Sequence, residues 1–284
     1  MKIIEHSLPS NHNIFLFSCK HEGSVLSTNT GWNKMVSMIL SPYDGCRNNY
    51  ASEGGDMVEA ITIDDKRFDS DKLKEPLPME QINVAVEKRQ AIKHLYLDML
   101  DGNHERKLWS FGNIAREIAN RLEVPYGTYT DKLIIQDKSG NLMYKIFHTH
   151  GRKSITSTAD DPIRKESNEQ LILKRHLKEK AGDCAVMVKA HVHKVITCPP
   201  KRKLYLTDNN GKIRQNYTEW GQNETYIHPD SRWYGCSGSF LRLYGDGISG
   251  YAEIAEYDPV ELGFLILKVR DKKIVELEPY KLNI

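Results

Sequence analysis

The sequence predicts a mixed α/β domain built in layers. Three observations carry that expectation: strand-like and helix-like segments alternate over residues 1–200, residues 201–284 are mostly strand-like, and no internal repeat or flexible linker divides the chain. With 284 residues there is ample length for a substantial core, so one domain over 1–284 is expected. Hydrophobic residues at 39% and charged residues at 27% fit neither a membrane protein nor a disordered chain. The balance of 40 Lys+Arg against 38 Asp+Glu leaves +2, too even for the molecule as a whole to capture nucleic acid or anionic lipid. Any nucleic-acid contact has to be local.

The elements follow from apolar periodicity and turn chemistry. Residues 13–19 (NIFLFSC) form a short apolar run ended by a His-Glu-Gly turn, as for a buried strand, and 31–40 (GWNKMVSMIL) reads as a helix. Residues 47–56 (RNNYASEGGD) form a strand that is polar for a central position. Residues 64–79, charged and interrupted by Pro76 and Pro78, form a surface excursion. A helix over 80–93, a strand over 95–100 (LYLDML) and one long helix over 105–122 come next. Then follow a strand at 142–148 (LMYKIFH), a charged amphipathic helix at 161–180 and a buried strand at 184–190 (CAVMVKA). Beyond Pro199-Pro200, residues 203–207 and 212–217 flank the turn Asp208-Asn209-Asn210-Gly211 and predict a hairpin. Further strands are expected at 239–244, 251–257, 263–269 and 273–277.

Residues 1–10 (MKIIEHSLPS) lack the apolar stretch of a secretory signal, and no window approaches the roughly 20 apolar residues of a spanning helix, so a cytoplasmic protein without membrane contact is expected. The five cysteines are odd in number and have no Cys-x-x-Cys spacing, which points to reduced thiols.

The histidines stand out. There are eleven, and several fall in short clusters at or just past the ends of predicted strands. Five loops present possible ligands in order: Cys19-Lys-His21, Gly55-Asp56, Gly102-Asn103-His104-Glu105, His150-Gly151 and His191-Val-His193. Imidazole nitrogen mixed with carboxylate oxygen suits first-row transition metals better than calcium or magnesium.

This ordered series resembles the calcineurin-like metallophosphoesterases, whose motifs run Asp-x-His, Gly-Asp, Gly-Asn-His-Glu/Asp, a His usually followed by Gly, and Gly-His-x-His. The match spans residues 21–193. The resemblance implies a four-layer α-β-β-α sandwich of two facing mixed sheets, with two divalent transition-metal ions (Mn, Fe or Zn) at the strand C-terminal ends. The strand-rich part 201–284 would complete the second sheet, with Gly238-Ser239 opening its returning strand. By motif, one metal falls to Cys19, His21, Asp56 and His193, and the other to Asp56, Asn103, His150 and His191, with Asp56 bridging. The implied reaction is phosphoester hydrolysis by a metal-bridging hydroxide, with His104 stabilising charge or protonating the leaving oxygen. Glu59 and Glu105 are expected to orient ligands rather than bind metal.

Two features depart from the family pattern. Cys19 stands where the family has Asp: it either ligates as a thiolate, favouring Zn or Fe over Mn, or is a core thiol beside a weak or empty first site. Ala190 replaces the usual Gly before His191, a minor change. His148 competes with His150 because alternation puts both on one strand face, and His150 is preferred for its following Gly151.

Such a motif set fixes a reaction class and leaves the substrate to the loops. Residues 64–79, Arg152-Lys153 and 194–203 are the candidates, with Arg152 and Lys194 as possible substrate contacts. Residues 201–234 interleave basic side chains with Tyr205, Tyr217, Trp220, Tyr226, Trp233 and Tyr234, which suits either a grip on single-stranded nucleic acid or ordinary sheet packing. The first expectation is therefore a phosphodiesterase acting on nucleic acid or a nucleotide. The resemblance extends to the double-strand-break repair nucleases, although no DNA-capping domain or coiled-coil segment is found in the sequence. A phosphomonoesterase, including a protein phosphatase, and a non-catalytic binding scaffold are the alternatives.

Overall fold

The computed structural model describes residues 1–65, 68–219, 221–222, 225–248 and 251–283. In chain order its elements begin β1 (Lys2–Ser7), β2 (His12–Phe17), α1 (Asn29–Leu40), β3 (Asn49–Glu53), α2 (Pro78–Arg89), β4 (Tyr96–Leu100), α3 (Asn103–Lys107), α4 (Ile114–Leu122), β5 (Tyr126–Thr128) and β6 (Thr130–Gln136). They continue with β7 (Leu142–Thr149), α5 (Pro162–Leu177), β8 (Val186–Lys189), β9 (Val195–Cys198), β10 (Leu204–Asn209), β11 (Lys212–Tyr217), β12 (Trp233–Ser237), α6 (Tyr251–Ile254), β13 (Gly263–Arg270) and β14 (Lys273–Lys281).

Two six-stranded mixed sheets form the body, one ordered β1-β6-β7-β8-β12-β9 and the other β14-β13-β2-β3-β4-β5. In the second, β2, β3, β4 and β5 run parallel. In the first, β7, β8 and β12 do. Strand alternation then sorts the apolar residues into layers. Phe15 and Phe17 of β2 face Trp32 and Met35 of α1, Ile82 of α2 and Ile118 of α4. Ile14 and Leu16 of the same strand face the other way, packing between the sheets with Leu133, Ile146, Val186 and Leu265. On the far side of the first sheet, Phe147, Met187 and Tyr234 meet Leu173 and Leu177 of α5. Helix, sheet, sheet and helix thus stack in four layers, as expected.

The polar strand β3 is buried because its side chains are satisfied. Asn49 Nδ2 donates to the carbonyls of Ile39 (3.1 Å) and Ser41 (2.7 Å) at the end of α1. Glu53 accepts from Arg89 Nε (2.8 Å) and from the Tyr96 hydroxyl (2.8 Å). Arg89 is itself fully buried, 4.6 Å above the Trp32 ring.

Several sequence expectations are corrected. The helix expected over 105–122 is broken into α3, a 3₁₀ turn and α4, because Gly112 takes φ +122° and Asn113 caps α4 by accepting from the Arg116 N–H (2.9 Å). Residues 239–244 form only isolated bridges, from Ser239 to Gly263 and from Leu241 to Ser27. The strand expected at 251–257 is instead the short helix α6. Among the described residues β10 and β11 pair only with each other, so the strand-rich part is split: β12 joins the first sheet, while β13 and β14 join the second. Edge strand β1, and β5, β6, β9 and β12, are additional to the sequence reading. Among the described residues no helix is long and apolar enough to cross a membrane.

Replacing Glu53 by Gln removes the carboxylate that meets the buried Arg89 guanidinium most closely and, among the described residues, leaves that cation only the Glu22 carboxylate, 3.9 Å away. We expect it to cost about 3–5 kcal/mol of unfolding free energy, measured by urea denaturation. A loss under about 1 kcal/mol would contradict a central role for the pair.

Candidate metal centre

Five strands deliver the candidate residues. Cys19 and His21 follow β2, Asp56 follows β3, Asn103 begins α3 just after β4, His150 follows β7, and His191 and His193 follow β8. β2, β3 and β4 are parallel neighbours, as are β7 and β8, so each set opens at one end of its sheet. Five of the seven residues sit in the left-handed backbone region: Cys19 (φ 55°), His21 (52°), Asp56 (54°), His191 (74°) and His193 (52°). Such backbone costs on the order of 1–3 kcal/mol per non-glycine residue and gathers where function requires a fixed side-chain direction.

Glycines and one carboxylate make the Asp56 loop possible. A Cβ on Gly102 would lie 2.0 Å from Asp56 Oδ1, and one on Gly55, at φ +86°, would lie 2.5 Å from the Asp101 backbone carbon. Glu105 accepts from the backbone N–H groups of Asp56 (3.1 Å), Met57 (2.6 Å), Val58 (3.1 Å) and Gly102 (2.7 Å), joining the loops after β3 and β4. Burial and the Asp56 charge push the Glu105 carboxyl up to about 7, against those donors.

The side chains gather into two adjoining groups. In one, ligand atoms of Cys19, His21 and His193 lie within 4.8 Å of one another; in the other, those of Asp56, His150 and His191 do. Asp56 Oδ2 stands between them, 3.9 Å from His21 Nε2 and 3.2 Å from His150 Nε2. Asn103 Oδ1 is 3.0 Å from His150 Nε2. The structure therefore brings all seven sequence-predicted residues together.

Second contacts aim the rings. His21 Nδ1 donates to Glu59 Oε2 (2.8 Å) and His150 Nδ1 donates to the Gly54 carbonyl (2.6 Å), which directs each Nε2 lone pair inward. His21 Nε2 then faces His193 Nε2 at 3.3 Å, an arrangement suited to a cation shared by two lone pairs. Among the described residues His191 Nδ1 is buried with no hydrogen-bond partner. The donors present fit divalent transition metals, since nitrogen, sulfur and carboxylate oxygen converge where the protein alone leaves polar atoms unsatisfied.

The electrostatics follow from burial and from Asp56. Burial opposes ionisation of Asp56, yet the His150 and His104 imidazoles hold its carboxyl well below the usual range. Burial would lower the His150 pKa, but the Asp56 carboxylate raises it above the ordinary value. Burial and the positive charge of neighbouring imidazoles push His191 down to about 4 and His193 well below its ordinary value. Burial, reinforced by Asp56, pushes the Cys19 thiol well up, so without a cation it keeps its proton.

The remaining expected residues sort as follows. His104 lines the same cleft, its backbone N–H donating to Asp56 Oδ1 (2.9 Å) and its Nδ1 to the Glu59 carbonyl. Lys194 lines the cleft as well but is held by Glu169 at 2.5 Å, whereas the exposed Arg152 is not among the lining residues. His148 is buried like His150 but turns its Nδ1 to Asp98 Oδ2 (2.9 Å). Ser239, instead of opening a strand, donates from Oγ to the Cys19 carbonyl (3.1 Å) and supports that loop from behind. In the basic and aromatic stretch, Arg232 and Tyr234 are buried, Tyr205 and Tyr217 lie on the separate exposed ribbon, and Trp220 falls outside the described residues. The sequence reading passed over Asp98 and Asp131; a charge inside the apolar run LYLDML was the available signal for the first. No protein-family model and no curated protein matches this chain.

Metal affinity should rise with pH in a way that separates the two groups. His150, raised by Asp56, must lose a proton to bind, so affinity at its group should climb about tenfold per pH unit below its pKa and level off above it. The Cys19 group should keep climbing through pH 9, because its thiol proton is still being displaced there. Competitive metal titration from pH 6 to 9 reads both slopes. Cys19→Asp should abolish the alkaline slope and shift preference from Zn toward Mn; an unchanged slope and preference would place Cys19 outside the ligand set.

Proposed function

We propose that the protein is a metal-dependent phosphoesterase that hydrolyses phosphodiester bonds in a nucleotide or nucleic acid, with His104 assisting departure of the leaving group. The observation that carries this reading is Asp56, whose Oδ2 lies between two groups of imidazole and thiol donors at the wall of a cleft of about 1230 Å³. Cys19, His21, Asp56 and His193 would hold one cation, and Asp56, Asn103, His150 and His191 the other. When bound, the two cations would supply positive charge to an anionic ester and lower the pKa of an attacking water.

The chain's own residues account for the rest. Burial would lower the His104 pKa, but Asp56 and Glu59 outweigh it and hold the imidazole above its ordinary value, which suits a proton donor near neutral pH. With Nδ1 committed to the Glu59 carbonyl, Nε2 is the nitrogen left to serve substrate. Glu59 also fixes His21, so one residue sets both rings, which stand 4.5 Å apart.

Within this class the cleft favours a nucleotide-sized ester over a long polyanion. Its lysines are paired with carboxylates, Lys194 with Glu169 (2.5 Å), Lys72 with Asp69 (2.7 Å), Lys281 with Glu261 (2.7 Å) and Lys165 with Asp258 (3.8 Å), which leaves Arg242 as a lining cation without a carboxylate partner among the described residues. Polymeric nucleic acid draws its affinity from cations free to neutralise phosphates. One observation favours a second reading, a binding scaffold: the buried, protonated Cys19 weakens the first group of donors.

Metal analysis with turnover of bis-p-nitrophenyl phosphate and p-nitrophenyl phosphate separates these readings. The diester should be hydrolysed, and His104→Ala should lower kcat by about 10²–10⁴ with metal content unchanged. Turnover of the monoester alone would favour a phosphomonoesterase. Two bound metals without turnover of either ester would establish the scaffold.

A further inference from the structure

We propose that Asp98, Asp131 and His148, with Ser52, form a separate buried site for a divalent cation that ties the two sheets together behind the cleft. The cluster is assembled from two directly opposed strand pairs. Ser52 of β3 is the cross-strand partner of Asp98 of β4 in the second sheet, and Asp131 of β6 is the cross-strand partner of His148 of β7 in the first. All four residues are fully buried. Each sheet thus turns one such pair inward against the other.

Contacts within the protein leave this cluster unfinished. His148 Nδ1 lies 2.9 Å from Asp98 Oδ2 and 3.0 Å from Ser52 Oγ, and ligand atoms of Asp98, Asp131 and His148 lie within 4.8 Å of one another. Yet among the described residues no hydrogen bond meets Asp98 Oδ1, either Asp131 oxygen or His148 Nε2, and burial and the Asp98 charge push the Asp131 carboxyl well up, so that a proton shared with Asp98 is the arrangement a cation would replace. Buried carboxylate oxygens without donors are rare, and two carboxylates side by side in a dry interior repel. A single proton shared between Asp131 and Asp98 joins two of these oxygens and leaves the third, with His148 Nε2, unmet. A divalent cation instead balances both negative charges, and carboxylate oxygen with imidazole nitrogen suits Zn, Mn or Fe.

The packing keeps the cluster closely enclosed. A Cβ on Gly127 would lie 2.1 Å from Asp131 Oδ2, and one on Gly54 would lie 2.9 Å from His148 Nε2. With all four side chains shut off from solvent, the ion would enter during folding and exchange slowly, unlike ions in the open cleft.

Metal analysis of the full-length protein after dialysis against EDTA tests the site. One ion per chain should survive chelation in the wild type and in Asp56→Asn, and none in Asp131→Asn. Anomalous scattering from crystals of untreated wild-type protein covers the case in which Asp131→Asn fails to fold: a peak bonded to Asp98, Asp131 and His148 is expected. Absence of that peak, meaning that the aspartates share a proton, overturns the proposal, as does a retained ion that Asp131→Asn leaves in place. A peak here with an empty cleft would sink the phosphoesterase reading and leave this site standing.

Discussion

Glu105 holds the candidate centre together by gathering four backbone N–H groups from two loops onto one buried carboxylate. Those loops follow neighbouring parallel strands, and hydrogen bonding within a sheet cannot fix their tips. The carboxylate does so, pressing Gly102 against Asp56 so closely that no side chain fits between them. Asp56 is thereby held between His21 and His150 before any cation arrives. The unusual backbone at Asp56, the donation from the His104 N–H and the reach of Glu59 to His21 all presuppose that clasp.

The layers were legible in the sequence because apolar runs such as NIFLFSC and CAVMVKA carry the signature of strands buried on both faces. The order of the candidate loops was legible for a related reason: most of them follow an apolar run, the polar β3 before Asp56 being the exception. Signals shorter than the reading window were lost. The Gly112-Asn113 break in the long helix is two residues wide, β5 is three residues long, and β1 lies at a sheet edge where one face is open. Buried polar residues misled in both directions. β3 looked too polar for a core strand because its partners lie outside the strand pattern, Arg89 in α2 for Glu53 and the end of α1 for Asn49. Residues 239–244 looked strand-like because of their apolar residues, but Phe240 packs on Phe17, Trp32 and Phe264 while Leu241 lines the cleft.

The centre itself was visible only as a list of residue types. Spacing showed which side chains share a loop, but the left-handed backbone at Cys19, His21, Asp56, His191 and His193 is a tertiary property. No local pattern of Cys, His and Asp announces it, since those residues adopt other conformations wherever packing allows. Alternation likewise placed His148 and His150 on one face without showing that Asp98 engages the first and Gly54 the second.

The division of donors between the sheets has a mechanical consequence. Cys19, His21, Asp56 and Asn103 ride on the second sheet, whereas His150, His191 and His193 ride on the first. The gap they span is therefore set by how the interlayer side chains, Ile14, Leu16, Ile146 and Val188 among them, interdigitate. A close-packed interior is stiff, so that layer behaves as a calibrated spacer. Any tolerance of the candidate centre for ions of different radius would then be governed by hydrocarbon packing between the sheets.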